Sequence, residues 1–139
     1  MNFGFRKNIN SRSGASIPSD MGNAVCAMDL LRIARENPYN VATLWTGKGL
    51  QSGVMSIPIG QTHEHKRGTS DAVIMFVSGM GEVRTGALGC TGERRAALGE
   101  GNTFFVPAGE PYDIINTGST PLQIIFIHAP ADMPHGTRY

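Results

Sequence analysis

The sequence predicts an all-β fold of the sandwich or barrel kind. From Val41 onward, short runs rich in Val, Ile, Phe and Thr alternate with clusters of Gly, Pro and Asn, the texture of strands joined by turns. The runs recur about every ten residues, as in sandwiches and barrels. No alternation of strand and helix patterns is present, which argues against a parallel α/β sheet. The chain of 139 residues is long enough for one domain with its own core, without disulfide or zinc staples.

Taken in order, residues 1–26 are rich in Ser, Asn and Gly and lack a sustained apolar period, so they read as an arm, flexible or swapped onto a partner. Residues 27–139 form the single barrel domain. DLLRIAREN (29–37) has apolar residues at 30, 31, 33 and 34 and stops before Pro38, the pattern of a short helix; a strand beginning at AMDL is the alternative. The strand runs are VATLWT (41–46), GVMSIPI (53–59), AVIMFVS (72–78), EVRTGAL (82–88), NTFFVP (102–107), YDIINT (112–117) and PLQIIFIHA (121–129). SGMG (78–81) and AGEP (108–111) are turns between them. Pro58 falls within a run, which confines it to an edge or a bulge. The polar, glycine-rich stretch 86–101 reads as a surface excursion.

A formal net charge of +1 and a charged fraction of 17% leave no electrostatic footprint for nucleic acid. Cys26 and Cys90 lie far apart and form no Cys-x-x-Cys pair, so both read as reduced thiols. No apolar stretch approaches the length of a membrane span, and the basic residues near the start have no apolar segment behind them. A cytoplasmic protein without membrane contact is expected.

The chemistry concentrates in GQTHEH (60–65). On a strand, residues i and i+2 share a face, so His63 and His65 stand side by side while Glu64 points away. Met55, Ile57 and Ile59 share that phase if the strand is continuous, which turns the histidines inward. Two adjacent imidazoles are half of a site for a divalent metal; two partly solvated strand histidines are the plainer alternative. Asp71, at the start of the next strand, could return across a hairpin as an oxygen ligand, or serve the backbone as a turn acceptor. Tyr112 begins a strand after a turn and could enter the same cavity as an acid or anchor, or simply pack its ring at the mouth. His128 is a secondary candidate for the cavity and His135, in the tail, a weaker one. Arg84, Arg94 and Arg95 could hold an anion at the rim, although charges in such a stretch usually form a solvated face. No nucleophile elbow, phosphate loop or dinucleotide fingerprint occurs.

Together these features resemble the cupin superfamily. Gly101, Pro107, Gly109 and Asn116 fall at the spacings of that family's second motif, with Tyr112 where the family has histidine. In the first motif His65 matches the second histidine, His63 follows Gly60 too soon, and the glutamate position falls beside Asp71 and Ala72. LWTGKGLQ, MSIPIG, FVPAGEPYDIINTGSTPL and HAPADMPHGT are similar to phrases of the bacterial cupins described as mannose-6-phosphate-isomerase-like. The resemblance implies a double-stranded β-helix, or jelly-roll barrel, and a homodimer. It also implies a divalent metal ion (Zn, Mn, Fe or Ni) at His63, His65 and Asp71, with Tyr112 as catalytic residue. The activity implied is metal-dependent, isomerase- or dioxygenase-like, on a small oxygenated molecule. A metal-free cupin that only binds a small ligand is the alternative.

Overall fold

A computed structural model describes residues 21–65, 68–86 and 93–130. Helix α1 (Leu30–Glu36) precedes strands β1 (Val41–Thr46), β2 (Gln51–Ile57), β3 (Thr62–His65), β4 (Asp71–Ser78), β5 (Gly81–Thr85), β6 (Arg95–Leu98), β7 (Thr103–Val106), β8 (Tyr112–Asn116) and β9 (Leu122–Ala129). The strands form a five-stranded sheet in the order β1-β2-β9-β4-β7 and a four-stranded sheet in the order β3-β8-β5-β6. Every pairing is antiparallel. This is the expected all-β jelly roll.

The two sheets face each other across the main core. Alternation decides who enters it: Ala72, Ile74 and Phe76 from β4, Tyr112 and Ile114 from β8, and Leu122, Ile124 and Phe126 from β9. Phe76, Ile74, Ile114, Leu122 and Ile124 are fully buried, each contributing about 1.5–3 kcal/mol of apolar burial. The opposite face of the larger sheet carries a second cluster, in which Val54, Val77 and Ile125 meet Ile33 and Ala34 of α1.

Helix α1 begins at Asp29, whose side chain accepts a hydrogen bond from the Arg32 amide at 3.2 Å, an N-cap interaction. It ends at Asn37, just before Pro38. Gln123 completes that end. Pointing outward from β9, its Nε2 donates to the carbonyls of Ala34 (2.9 Å), Arg35 (3.2 Å) and Asn37 (2.8 Å). These are among the acceptors that a helix C-terminus leaves open.

Two expectations are corrected. The stretch 86–101 is more than a surface excursion, since Arg95–Leu98 forms β6 and pairs with β5 from Gly81↔Leu98 to Arg84↔Arg95. Its short apolar alternation is the cause: Ala96 and Leu98 pack onto the main core. Nor does the inward phase run from Met55 to Ile59. Strand β2 ends at Ile57, Gln61 N donates to Pro58 O at 3.0 Å, and Gly60 takes a φ of +75°. That turn leaves Ile59 56% exposed and restarts the chain as β3 in the other sheet. Pro58 thus sits in a turn after β2, where its missing amide costs no ladder bond.

Of the N-terminal arm, residues 1–20 lie outside the described residues. Met21 N donates to Leu44 O and Thr46 N to Gly22 O, so the arm's last residues run along the outer edge of β1. Cys90, residues 66 and 67 of the loop after β3, and the tail with His135 also lie outside the described residues.

Candidate functional site

Strand β3 alternates exposed Thr62 and Glu64 with half-buried His63 and His65, so both imidazoles turn toward the space between the sheets. Register brings the remaining members to them. His65 pairs with Tyr112 and His63 with Ile114 across β3 and β8. On the facing sheet, His128 lies between Gln51 of β2 and Ala72 of β4. Its phase is that of Phe126, Ile124 and Leu122, hence inward.

The rings meet at one end of the barrel. His65 stacks on Tyr112 with centroids 4.7 Å apart and planes inclined by 21°. His128 stands 5.7 Å from His65. Phe104 closes on Tyr112 edge-on at 5.6 Å, and Phe126 lies 5.1 Å from His128. Tyr112 is only 2% exposed, so it is a buried wall of the cavity and no wet rim residue. The second-motif turn delivers it there. Glu110 N donates to Pro107 O, and Gly109 adopts a φ of +89°, a conformation that glycine takes without penalty.

Asp71 does not join this group. It occupies the opposite pleat from Ala72, is exposed, and accepts a hydrogen bond from Ala108 N at 2.9 Å. The expected carboxylate ligand instead anchors the turn that precedes Tyr112. Arg84 and Arg95 are exposed and pair with Glu82 at 2.9 and 3.8 Å.

Burial pushes the His63 imidazole below the usual histidine value; His65 and His128 add to that effect, and Asp113 opposes it. His63 is therefore neutral at physiological pH, with a ring nitrogen lone pair to offer. Both ring nitrogens of His128 are shielded from solvent. Among the described residues, no group of three or more His, Cys, Asp or Glu side chains is placed to hold a metal ion. The inward donors here are imidazole nitrogens with a phenol beside them. Such a set suits ions that accept nitrogen ligands, such as zinc, nickel and iron, and is poor for magnesium or calcium. A recess of about 260 Å³, lined by Met55, Ile57, Gln61, Thr62 and His63 among others, reaches the cluster at His63.

Phe104, Phe126 and Ala72 shape the site without any motif announcing them. Their only signal is the inward phase of their strands. Gly53, opposite Phe126 in the ladder, is required because a Cβ there would overlap the backbone carbonyl oxygen of Ala42 and also approach the Phe126 ring to 2.8 Å.

A family profile described as Cupin domain matches residues 53–128, from within β2 to within β9. The uncharacterized protein YrkC of Bacillus subtilis (strain 168) is 30% identical over 119 residues. That match takes in 85% of this chain and 64% of YrkC, so the chain spans less than two thirds of that relative. The crystal structure of BH2720 from Bacillus halodurans superposes with a TM-score of 0.76 at 28% identity, covering 86% of this chain and 91% of that one. TT1209 from Thermus thermophilus gives a TM-score of 0.61 at 29% identity, covering 76% and 97%. Two sheets in jelly-roll order, a glycine-proline turn delivering an inward residue and a histidine pair facing it are what this match spans, and the chain belongs to the cupin-domain family.

Proposed function

We propose that the chain is a cupin that holds a divalent metal ion through inward imidazoles, with His63 and His65 as the first two donors, and binds a small oxygenated molecule beside it. The convergence of His63, His65, His128 and Tyr112 on one end of the barrel carries this reading. When bound, the metal supplies Lewis-acid chemistry toward a carbonyl or hydroxyl oxygen. The chain's own residues do the rest. Tyr112 fixes the plane of His65 by stacking and brings a phenol to the cavity as acid or anchor. Phe104 and Phe126 exclude water from the two rings they touch, which strengthens every polar interaction inside.

The resemblance to mannose-6-phosphate-isomerase-like cupins makes carbonyl–hydroxyl isomerisation the candidate reaction, with dioxygenation as the other. Asp71, held by Ala108 N, and Tyr112, in the family's histidine position, favour a second reading: a metal-free cupin that binds a small ligand in an aromatic-lined cavity. Protein stripped by chelator and reloaded with Zn, Mn, Fe, Co or Ni separates the two. The metal reading predicts close to one equivalent of at least one ion by elemental analysis. Retention of less than about a tenth of an equivalent of every ion contradicts it and leaves the ligand-only reading.

A further inference from the structure

The outer face of the larger sheet is apolar where α1 covers it, through Val54, Val77 and Ile125. One polar row interrupts it. Ser56 of β2, Gln123 of β9 and Ser78 of β4 stand side by side in the ladders, and residues paired in this way share a face. Alternation after inward Phe76 and outward Val77 would send Ser78 into the barrel. The bulge between Phe76 and Ser78 turns it out instead, since a bulge re-aims the side chains beside it. The row lines an open cavity of about 620 Å³ at the end of α1, together with Pro38, Pro58 and Pro121. That size is in the range of small-molecule sites. Arg35 and Glu36, both exposed, contribute charge to the same cavity.

The amide at the centre of the row is only half satisfied. Gln123 is 5% exposed, and its Nε2 spends both hydrogens on the helix-end carbonyls of Ala34, Arg35 and Asn37. The reverse orientation would aim its oxygen at three carbonyl oxygens, so the amide is fixed as it stands. Gln123 Oε1 is then a buried acceptor with no donor among the described residues, an arrangement that native folds keep rarely and that calls for a partner. We infer that this cavity is a second ligand site, outside the barrel, for the zwitterion of an apolar α-amino acid. The ammonium donates to Gln123 Oε1, with the Ser56 and Ser78 hydroxyls on either side of it. Because that oxygen is shielded from solvent, a donor that reaches it forms its hydrogen bond away from water, where such a bond is strongest. The carboxylate meets Arg35, which takes part in none of the ion pairs among the described residues, whereas Glu36 lies 4.0 Å from Arg32. The apolar side chain of the ligand lies against the three prolines.

Leucine and phenylalanine are the probes. Isocaproate and isoamylamine are the analogues of leucine that lack its ammonium and its carboxylate. In amide NMR of the full chain, the side-chain resonances of Gln123 and the backbone amides of Ser56 and Ser78 should shift and saturate as either amino acid is added at millimolar concentration. Each analogue should bind about tenfold more weakly than leucine, the loss of one charge-assisted hydrogen bond. Arg35→Gln, at an exposed position of the helix, should weaken leucine by about tenfold and leave isoamylamine unchanged. Isocaproate binding as tightly as leucine, or leucine affinity unchanged in Arg35→Gln, overturns the zwitterion assignment. Absence of a saturable shift at this face with both amino acids, or leucine-soaked crystals with only a water on Gln123 Oε1, overturns the site itself. The protein is used without added metal, so the outcome is independent of the metal reading above.

Discussion

His63 links the chemistry of the site to the stability of the fold. In the unfolded chain it titrates near the ordinary histidine value of 6.5, whereas in the barrel its proton affinity is lowered by burial and by two neighbouring imidazoles. Above 6.5 the residue is neutral in both states. As the pH falls through 6.5, the unfolded chain gains a proton that the barrel resists, so stability is lost until the pH passes below the folded value. Metal-free protein melted from about pH 8 to about pH 5 should lose stability faster than His63→Gln; parallel slopes would contradict the assignment. Gly53 is a steric counterpart. A methyl there would overlap the Ala42 carbonyl oxygen and press on Phe126, which backs His128. Gly53→Ala should cost about 2 kcal/mol in urea unfolding, and a neutral result would mean that the ring has room to move. Tyr112→Phe keeps the ring stack, so its metal affinity should stay within about threefold of wild type, whereas Tyr112→His should tighten binding about tenfold by adding a donor.

Among the elements, two amides hold the barrel's connections. Asn116 is buried at the end of β8. Its Nδ2 donates to Ile57 O and Thr120 O, and its Oδ1 accepts from Gly118 N. The family's second-motif asparagine therefore ties β2 to β8 and shapes the turn toward β9. Asn116→Ala leaves three backbone groups, among them the buried Ile57 carbonyl, to find other partners and should cost about 2 kcal/mol. Gln123→Leu should cost about 2 kcal/mol and raise amide exchange at the end of α1, while exchange in β4 stays slow. The two residues differ in how much the sequence says of them. Asn116 stands at a recognisable spacing, but Gln123 meets the helix from 86 to 89 residues away, a distance no local pattern encodes. Strand β6 escaped for another reason. Four residues between glycine-rich turns carry too few apolar positions to declare a period, and their pairing with β5 supplies what the local sequence lacks.

Across the molecule, the jelly roll was legible because strand runs, turn residues and the second cupin motif agree. The site was legible only in part. His63 and His65 are adjacent on one strand, and their shared face follows from alternation alone. Asp71 is near in sequence but lies on the wrong pleat, and His128 is distant in sequence but lies on the right one. Only the order β2-β9-β4 brings the latter to the cavity. The arm also acts at this level. With Met21 and Gly22 hydrogen-bonded along β1, a homodimer joined through that edge is our proposal. Removal of residues 1–24 should then lower the sedimenting mass toward that of one chain; an unchanged mass would assign the association to another surface. Whether the histidine-lined end of the barrel holds metal is decided by anomalous diffraction at the zinc edge from crystals of reloaded protein. One strong peak beside His63 and His65 is expected. A peak elsewhere, or none at full zinc loading, would contradict the metal reading.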